Sequence, residues 1–528
     1  MKKVLSLILV AMMLLPGFAL AEDKVEFTYM AVSNKTFEEG GYIETYIEEN
    51  VPGIDIKHVF IDYTDHDALA LNVGAGEMAD FAWFNMNYLP AYMKEQEIIE
   101  PIPVELFRKY APSWAALYDQ TPISWALSLD PEDPTQLIGL NGYQDAYALE
   151  YIWGNTLRYD WLVASGVDVS SMNIKDMGNG LYAAEKGMTL DQLWQYLDYM
   201  VNGDPDGNGV ADTVGFNNDY LRMVSSVGLF KGVVEQPDGS AAPYYVHPNM
   251  KKFLQWMQDA YAANLIYKEI FTIQWGQDWE MLNSGITGIQ GGGMGFSFLL
   301  DDTRPPKTLL DKGIPVLVFP GICDENGNTY DSMILEPGYT SYLYAAKGVT
   351  EEQIIAFLRF AEFAYFGNGD FEKFIPVRYG QEGVDFEWDE NGYPTKIADG
   401  LWDQGIAGYF CGDICVGQNH IYSNLKPGTY YSSIYDEYIT GVWAKDRCKD
   451  YKLDLYVETD ATAIKNEYGA DWDQIRNAYF MAVIRGEKNL EADWDTYIQD
   501  LNDASFDEYL EELNKVRPLQ EILAELAK

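Results

Sequence analysis

The residues whose types and spacing point most directly to chemistry lie in one acidic loop. Its oxygen donors occupy positions one, three, five, seven and nine of a calcium-binding loop, and they are Asp204, Asp206, Asn208, Val210 and Asp212. The seventh position would contribute a backbone carbonyl oxygen and the others side-chain oxygen atoms. Because a hard cation needs several oxygen ligands at about 2.4 Å, this spacing predicts a bound Ca²⁺.

The loop departs from a complete calcium hand at two positions. Position ten is Thr213, and position twelve, where a bidentate glutamate would close the site, is Gly215. An amphipathic helix is predicted before the loop, over 189–201, but no second long helix is predicted after it. These features favour a structural ion over a switching sensor. The alternative is a solvated turn rich in Asp, Asn and Gly.

The first residues are typical of an export signal. Lys2 and Lys3 precede an apolar run over 4–15, and small residues over 19–21 follow a Pro-Gly break. We therefore expect residues 1–21 to be a signal peptide and the mature chain to be periplasmic or extracellular. No cysteine lies near the expected cleavage site, which argues against a lipoprotein.

Charge and composition narrow the classes of partner. The chain of 528 residues has 36 Lys and Arg against 82 Asp and Glu, which gives a net charge of −46. This balance argues against binding to nucleic acid or to anionic membranes, because phosphate contact needs clustered basic residues. Aromatic residues make up 15% of the chain, including 39 Tyr and 14 Trp. Such side chains suit stacking on sugar rings, although many aromatic residues belong to cores.

The cysteines permit one or two disulfide bonds, with all three full pairings open, and they are Cys323, Cys411, Cys415 and Cys448. A metal cluster built from Cys411, Cys415 and His420 is disfavoured, since the spacing is not that of a zinc site.

The order of predicted elements indicates an α/β fold. Strands over 24–32, 55–60 and 79–84 alternate with helices over 37–49 and 65–75, which predicts a parallel sheet with flanking helices. No glycine-rich phosphate motif follows the first strand, so a nucleotide-binding fold is disfavoured. A second α/β region follows residue 140. Its predicted elements, and those after it, are helices over 189–201, 248–263, 351–366, 472–485, 490–503 and 506–526 and strands over 291–296 and 316–319.

Several segments resemble, in order, the extracellular solute-binding proteins of bacterial ABC importers, family 1. The closest type is the large oligosaccharide-binding group that includes the LplA-like and alginate-binding proteins. The matching segments are LNVGAGEMAD at 71–80, NTLRYDWL at 155–162, the acidic loop at 204–212, YGQEGVDF at 379–386, NGYP at 391–394 and VIRG at 483–486. The resemblance extends over about residues 25–510.

The resemblance implies a two-lobed fold of the type II periplasmic-binding-protein class, with a hinge, a ligand cleft and a helical C-terminal region. We expect an N-terminal lobe of 22–150 and 318–375, and a C-terminal lobe of 151–317 and 376–528 that carries the calcium loop. The insertion 170–188 lengthens the usual link before the calcium loop. Ligand would be held between the lobes and delivered to ABC permease subunits, and we expect a monomer.

Loops after strand ends supply the candidate ligand contacts, because clefts of such folds form there. The candidates are Asn34, Trp83, Asn85, Trp153, Arg158, Trp275, Trp279, Phe296, Trp402 and Tyr409. Trp83 and Trp402 have the most polar or turn-rich neighbours, which favours a role in stacking. Each aromatic candidate has the alternative of a place in the core.

The predicted function is therefore non-catalytic capture of an oligosaccharide for import. One alternative is a secreted glycoside hydrolase or lyase, which would need two carboxylates about 5–9.5 Å apart. A serine hydrolase is disfavoured because no G-x-S-x-G motif occurs. The other alternative is a peptide-binding protein on the same fold, since Tyr and Trp do not discriminate sugar from peptide.

Overall fold

The computed structural model describes most of the chain. The residues that it describes are 24–30, 40–59, 71, 74–75, 78–84, 90–120, 123–141, 154–274, 276–293, 299, 304–330, 342–390, 392, 394–397, 428–434, 437 and 460–516. Across these ranges, no helix is both long enough and apolar enough to cross a membrane.

The strands of this part of the chain, in order, are β1 (Val25–Met30), β2 (Ile54–His58), β3 (Phe81–Phe84), β4 (Ile99–Glu100), β5 (Ile102–Pro103), β6 (Gln136–Leu137), β7 (Leu140–Asn141), β8 (Gly154–Arg158), β9 (Ile174–Gly178), β10 (Leu181–Ala184), β11 (Val233–Glu235), β12 (Ala241–Pro243), β13 (Ile289–Gly293), β14 (Val316–Phe319), β15 (Tyr342–Ala346), β16 (Phe386–Trp388) and β17 (Pro394–Lys396).

The helices, in order, are α1 (Tyr42–Asn50), α2 (Pro90–Glu95), α3 (Val104–Tyr110), α4 (Pro112–Gln120), α5 (Ile123–Ser128), α6 (Tyr159–Ser165), α7 (Leu190–Asn202), α8 (Met250–Ala262), α9 (Gln277–Asn283), α10 (Lys307–Asp311), α11 (Glu351–Phe366), α12 (Phe371–Tyr379), α13 (Tyr430–Ile434), α14 (Asp460–Ile484), α15 (Leu490–Asn502) and α16 (Phe506–Leu513). Short 3₁₀ turns occur at Ser170–Met172, Tyr220–Val227, Tyr244–Val246 and Gly367–Gly369.

The first sheet has the strand order β2-β1-β3-β15-β4, and β7 also pairs with β15. The pairs β1–β2 and β1–β3 are parallel, which confirms the predicted parallel arrangement of the first three strands. β15 is antiparallel to β3, β4 and β7. Every residue of β3 is buried, because successive side chains point to opposite faces and both faces are covered.

Helix α11 provides the main cover of one face of the first sheet. Thr350 caps its N-terminus through a capping box with Gln353, and Gly367 ends it with a left-handed φ of 56°. Most of its residues are apolar and buried, and Phe357 stacks on Phe81 of β3 with 4.1 Å between the ring centroids. The helix therefore lies across the sheet as an interior element, and its observed bounds are the predicted ones.

The second sheet has the strand order β13-β8-β14-β10-β9. Its central strand β14 is antiparallel to β8 and parallel to β10. A separate hydrophobic core covers this sheet with residues from two stretches of the chain, which run from Leu157 to Ile322 and from Ala461 to Leu513. The two sheets and their two cores give the chain two α/β units.

Two boundaries of these units differ from the predicted lobe boundaries. β14 lies wholly in the second sheet, so the second unit continues beyond residue 317. Val377, Tyr379 and Phe386 pack in the first core, so the first unit continues beyond residue 375. The physical reason is that α12 packs against α11 and α1, which keeps its apolar side chains with the first sheet.

The insertion 170–188 builds part of the second sheet. It contains β9 and β10, which form an antiparallel hairpin, and β10 joins the sheet by parallel pairing with β14. The hydroxyl group of Tyr430 in α13 donates to the carbonyl oxygen of Met177 in β9 at 2.8 Å. The insertion thus extends the sheet by two strands and gives a later segment a place to pack.

The C-terminal helices differ from prediction at two ends. The helix predicted over 506–526 ends at Leu513, residues 514–516 form a turn, and the residues after 516 lie outside those that the structure describes. α14 begins at Asp460, twelve residues before the predicted start at 472. The early part is polar and contains Gly469, so periodicity alone does not reveal it. Ala461 is buried in the second core, and Ile464 and Tyr468 pack against that core. Tertiary contacts therefore stabilise this polar stretch as helix.

We predict that Trp83→Ala lowers the free energy of unfolding of the first core by about 3–5 kcal/mol, since a large buried aromatic side chain is lost. Trp83 is 1% exposed. Urea denaturation of the purified variant measures the change. Leu71→Ala is the control, because Leu71 is 73% exposed and its loss should change stability by less than about 0.5 kcal/mol. Equal effects of the two substitutions would contradict a core position for Trp83.

Candidate functional site

Helix α7 positions the acidic loop. Its N-terminus is held by a capping box between Thr189 and Gln192, as the predicted helix start requires. Its inward face buries Leu193, Leu197 and Met200 in the second core. Because the helix is anchored along this face and ends at Asn202, the loop leaves a rigid element only two residues before its first acidic position.

The loop backbone follows the turns that a calcium loop needs. Asp204 has φ 53°, and Gly207 and Gly209 have φ 72° and 87°, all in the left-handed region. The amide of Gly209, at position six, donates to Oδ2 of Asp204 at 3.0 Å. Oδ1 of Asp204 is shielded from solvent and has no hydrogen-bond partner among the described residues. This oxygen atom, at position one of the loop, is the one expected to bind an ion.

Asn208 links the remaining acidic positions. Its side-chain nitrogen donates to Oδ2 of Asp206 at 2.9 Å and to Oδ1 of Asp212 at 3.1 Å. Its side-chain oxygen accepts from the amide of Val210 at 2.7 Å. Within the described ranges, no three acidic, His or Cys side chains converge as metal ligands. The carboxylates of the loop are instead held by an amide group.

Position ten cannot supply a ligand in this arrangement. Thr213 is buried, and its hydroxyl group donates to the carbonyl oxygen of Met200 in the last turn of α7. That carbonyl belongs to the end of the helix, where intrahelical donors run out. Thr213 therefore satisfies the helix terminus and ties the loop to it.

Position twelve cannot supply a ligand because there is no room for a side chain. A Cβ atom on Gly215 would lie 1.9 Å from the carbonyl oxygen of Leu265. The neighbouring amide of Phe216 donates to the same oxygen at 2.9 Å. Close backbone pairing thus explains the absence of the closing glutamate.

The loop offers a hard cation only oxygen donors, although its acidic side chains do not converge as a ligand cluster in the described residues. Five protein oxygen donors remain, from Asp204, Asp206, Asn208, Val210 and Asp212, and one of them is a shielded carboxylate oxygen without a donor. All are oxygen ligands, which Ca²⁺ prefers. With positions ten and twelve excluded, water would complete a shell of six to eight ligands.

Trp83, one of the two preferred stacking candidates, lies in the first core. Its Nε1 donates to the hydroxyl group of Tyr29 at 3.0 Å, and its ring stacks on Trp114 at 6.1 Å. The hydroxyl group of Tyr29 in turn pairs with that of Tyr365 at 2.7 Å. Turn-rich neighbours after β3 suggested exposure, but alternation along the strand directs Trp83 towards the helices. In this structure no face of the indole is open to a sugar ring.

Arg158 ends β8 and immediately precedes α6. Its guanidinium group makes a two-point ion pair with Asp160, with Nε at 2.9 Å and Nη2 at 2.5 Å from the carboxylate oxygens. It also lies over the ring of Trp161 at 4.6 Å. The side chain is held by these neighbours at the start of the helix, so a role in ligand binding stays a prediction.

Trp279 lies in α9 beside a buried polar group. Its side chain is largely buried, and the guanidinium group of Arg304 lies over its ring at 4.2 Å. The adjacent Asp278 accepts from the side-chain nitrogen of Gln290 in β13 at 2.9 Å and from that of Asn218. Burial raises the pKa of the Asp278 carboxyl above its usual range.

This buried polar network was not found from the sequence. Asp278, Gln290 and Asn218 are far apart in the chain, and isolated Asp, Gln and Asn residues carry no motif. The sequence of β13, Ile-Gln-Gly-Gly-Gly, has no apolar alternation that would place Gln290 in the interior. The network holds α9, which carries Trp279, beside the edge strand β13 of the second sheet. The candidate Phe296 lies shortly after β13 in the sequence.

The other ligand candidates lie outside the described residues, and they are Asn34, Asn85, Trp153, Trp275, Phe296, Trp402 and Tyr409. Of the described candidates, Trp83 belongs to the first sheet, while Arg158 and Trp279 belong to the second unit. The three described candidates therefore come from both α/β units.

Of the four cysteines, the structure describes Cys323 only. Cys323 is buried and makes no disulfide bond among the described residues. Burial raises the pKa of its thiol to about 11. Cys411, Cys415 and Cys448 lie outside the described residues, as do the predicted signal peptide and His420.

Comparison with known sequences identifies one curated relative. No family model matches the chain. The fructooligosaccharide ABC transporter substrate-binding protein FusA of Streptococcus pneumoniae serotype 4 is 26% identical over 192 residues, which is 33% of this chain. The match spans only 32% of the length of that relative.

Comparison with solved structures covers nearly the whole chain. An "HMO binding" ABC-transporter-associated solute-binding protein of Bifidobacterium longum infantis matches with a TM-score of 0.65 and 15% identity, covering 93% of this chain and 98% of that one. FusA of S. pneumoniae in complex with kestose matches with a TM-score of 0.62, 15% identity and the same coverage. Another structure of FusA, with a TM-score of 0.62, is of an EF-hand mutant.

These likenesses show the fold. The chain has the two-lobed α/β fold of ABC-transporter solute-binding proteins. The fold that the sequence resemblance implied is therefore confirmed.

We predict that Thr213→Val lowers the free energy of unfolding by about 1–3 kcal/mol, because the buried carbonyl oxygen of Met200 loses its donor. Calcium affinity should stay within about twofold, since Thr213 is not a ligand. Urea denaturation and calorimetric titration with CaCl₂ measure the two quantities. Thr213→Ser, which keeps the hydroxyl group, is the control, and a large loss of calcium affinity in Thr213→Val alone would contradict the assignment.

Proposed function

We propose that this chain is the extracellular solute-binding protein of an ABC transporter and captures an oligosaccharide for import. The observation that carries the proposal is the match of 93% of the chain to sugar-binding proteins of such transporters. The curated relative supports the same class of ligand, since it is described as a fructooligosaccharide-binding protein. The ligand would be held between the two α/β units and released to permease subunits.

The proposed role is binding without catalysis. The proteins that the chain resembles are transport-associated binding proteins, and their fold uses closure around a ligand to signal to a transporter. The competing proposal, a secreted glycoside hydrolase or lyase, requires a pair of carboxylates at a reacting bond. Asp278, a buried carboxyl with a raised pKa, is instead held by side-chain amides.

We propose further that the acidic loop binds a structural Ca²⁺. The support is the oxygen-only donor set and the partnerless Oδ1 of Asp204, together with the EF-hand described for the related protein FusA. Asp204, Asp206, Asn208, Val210 and Asp212 would hold the ion. Its two positive charges would offset most of the negative charge of the three carboxylates after α7 and stabilise the loop.

Export to the periplasm or the cell exterior and a monomeric state complete the proposal. Export is supported by the predicted signal sequence. The net charge of −46 supports solubility and disfavours nucleic-acid partners. The permease subunits are the proposed protein partners.

We predict that the purified mature chain binds an intact oligosaccharide from a panel containing kestose, longer fructans, human milk oligosaccharides and alginate fragments. Native mass spectrometry should show bound sugar of unchanged mass, and the melting temperature should rise with ligand concentration. Appearance of shorter sugars would favour the hydrolase alternative. Binding only of peptides in a parallel panel would favour the peptide alternative.

Trp402→Ala should weaken that binding about three- to tenfold, since one stacking contact is worth about 0.5–1.5 kcal/mol. Trp256→Ala is the matched control, because Trp256 in α8 packs on Trp194 and is not a ligand candidate. Calorimetric titration measures both affinities. Equal affinities of the two variants would remove Trp402 from the site while leaving the proposed function intact.

We predict that CaCl₂ raises the melting temperature above its value in a chelator, because an ion that binds only the folded loop stabilises it, by about 2.7 kcal/mol at one hundred times its dissociation constant. Asp204→Ala should abolish this rise, and Asp198→Ala should keep it, since Asp198 lies in α7 outside the ligand positions. Luminescence decay of bound Tb³⁺ in H₂O and D₂O should count about one to three water ligands. A melting temperature that is the same in CaCl₂ and in chelator would contradict the proposed calcium site.

A further inference from the structure

Helix α9 is too short to keep its place without contacts from its neighbours. It has seven residues, and isolated helices shorter than about twelve residues are marginal in water. At its C-terminal end, the side-chain oxygen of Asn283 accepts a hydrogen bond from the hydroxyl group of Thr308 in α10. The carbonyl oxygen of Asn283 accepts from Nζ of Lys312 at 3.0 Å. Contacts with α10 and the residue after it therefore determine the position of this end.

A buried carboxylate determines the position of the other end. Asp278, the second residue of α9, is 5% exposed. Its Oδ2 accepts from the side-chain nitrogen of Gln290 in β13 at 2.9 Å and from that of Asn218, which lies before the 3₁₀ turn over 220–227. Both amide groups must turn their NH₂ ends to the carboxylate, because an ionised carboxylate can only accept. Three segments that are distant in the chain thus meet at one oxygen atom.

One end of the second sheet is the place where the chain passes between the two α/β units. Gly154, the first residue of β8, pairs with Gly293, the last residue of β13. Phe319, the last residue of β14, pairs with Asn155, so β14 ends beside the start of β8 before the chain returns to β15 of the first sheet. A ligand held between the units would meet this end of the sheet.

Helix α9 lies back along β13, with Asp278 directed to that same end. The turn over 284–288 joins α9 to β13, and the carbonyl oxygen of Gly288 accepts from the amide of Arg158 at 2.8 Å. This turn therefore lies at the opposite end of β8. Because the start of the helix contacts Gln290 inside the strand, the helix runs from the crossing end of the sheet towards the turn.

We infer that Asp278 is a positioning residue of the oligosaccharide site, which holds α9 so that Trp279 contacts the sugar. The inference rests on the proposed function. Trp279 follows Asp278 directly, and the guanidinium group of Arg304 lies over its ring at 4.2 Å. The carboxylate and the guanidinium group together restrict the ring to one orientation. A restricted side chain favours binding, because less of its freedom is lost when the ligand arrives.

Gln290→Met tests this role. The substitution removes one donor from the Asp278 carboxylate and keeps a side chain of similar length. Affinity for the sugars of the panel described above should fall by about fivefold or more, since the support of the contacting residue is loosened. Calorimetric titration of the purified mature chain measures the affinity, and differential scanning calorimetry measures the melting temperature of the same sample.

Gln192→Met is the matched control. Nε2 of Gln192 donates to the carbonyl oxygen of Asp168 at 2.7 Å and to the hydroxyl group of Ser171 at 3.1 Å, and its side chain completes the capping box of α7. This variant makes the same chemical change in the same unit but away from α9. Its melting temperature should fall because a helix cap is lost, while its affinity for the sugars should stay within about twofold of the wild-type value.

Fluorine NMR of protein labelled with 5-fluorotryptophan reports on Trp279 directly. A Trp279→Phe variant assigns its resonance among the 14 tryptophans. In ligand-free protein this resonance should shift or broaden in Gln290→Met and keep its wild-type position in Gln192→Met. A contribution of the network to overall stability alone would leave the resonance unchanged.

Asp278→Asn is a second variant of the network. In either orientation its NH₂ group faces an N–H donor, from Gln290 and Asn218 or from the backbone amide of Trp279. Binding should weaken by about threefold or more, and the Trp279 resonance should shift. This variant keeps the test decisive if Gln290→Met does not fold.

The outcomes separate the inference from the proposed function. Wild-type affinity in the folded Gln290→Met or Asp278→Asn variant, or an unchanged Trp279 resonance, would overturn the role of Asp278. A wild-type protein that binds no sugar of the panel would overturn the proposed function. In that case the NMR comparison of the ligand-free variants would still decide whether the network positions Trp279.

Discussion

Pairing of β15 with β3 is the interaction on which the architecture depends. The register joins Tyr342 to Phe84 and Ala345 to Phe81, so a strand from late in the chain lies in the middle of the first sheet. Helix α11 follows directly and covers the hydrophobic face that β1, β2 and β3 cannot cover themselves. The first α/β unit therefore includes a strand and a helix that follow the strands of the second sheet in the sequence. This order constrains the chain to pass between the units more than once.

The second unit shows how packing limits the chemistry of a loop. The acidic loop connects helix α7 to a segment whose backbone pairs closely with Leu265. That pairing excludes a side chain at Gly215, and the helix end takes the hydroxyl group of Thr213. In a complete calcium hand position twelve is a ligand position, whereas position ten is not. The close backbone pairing at Gly215 therefore leaves no space for the glutamate that would complete the set of calcium ligands.

The aromatic residues serve the core more than their number suggested. Trp83, Trp114, Tyr29 and Tyr365 form a buried group in the first core, and Tyr479 and Tyr497 stack at 4.4 Å in the second. Composition could not separate these residues from ligand-stacking ones, because the same flat rings serve both purposes. Whether an aromatic residue of a strand is buried or can contact ligand depends on which face of the sheet it lies on. For Trp83 that face is covered by helices.

The sequence by itself determined the elements whose signals are local. The capping residues of α7 and α11, the apolar run of β14 and the glycines of the acidic loop each determine a backbone conformation within a few residues. The predicted helices over 189–201 and 351–366 and the predicted strand over 316–319 accordingly agree closely with the observed elements. The order of elements was enough to predict an α/β fold, and the two-lobed arrangement was implied by the resemblance of ordered segments to solute-binding proteins. Tertiary structure alone decided the place of Trp83, the start of α14, the network around Asp278 and the close approach of Leu265 that leaves room only for glycine at position twelve of the acidic loop. These depend on contacts between residues distant in the chain, and burial and close backbone approach have no signature in a single local segment.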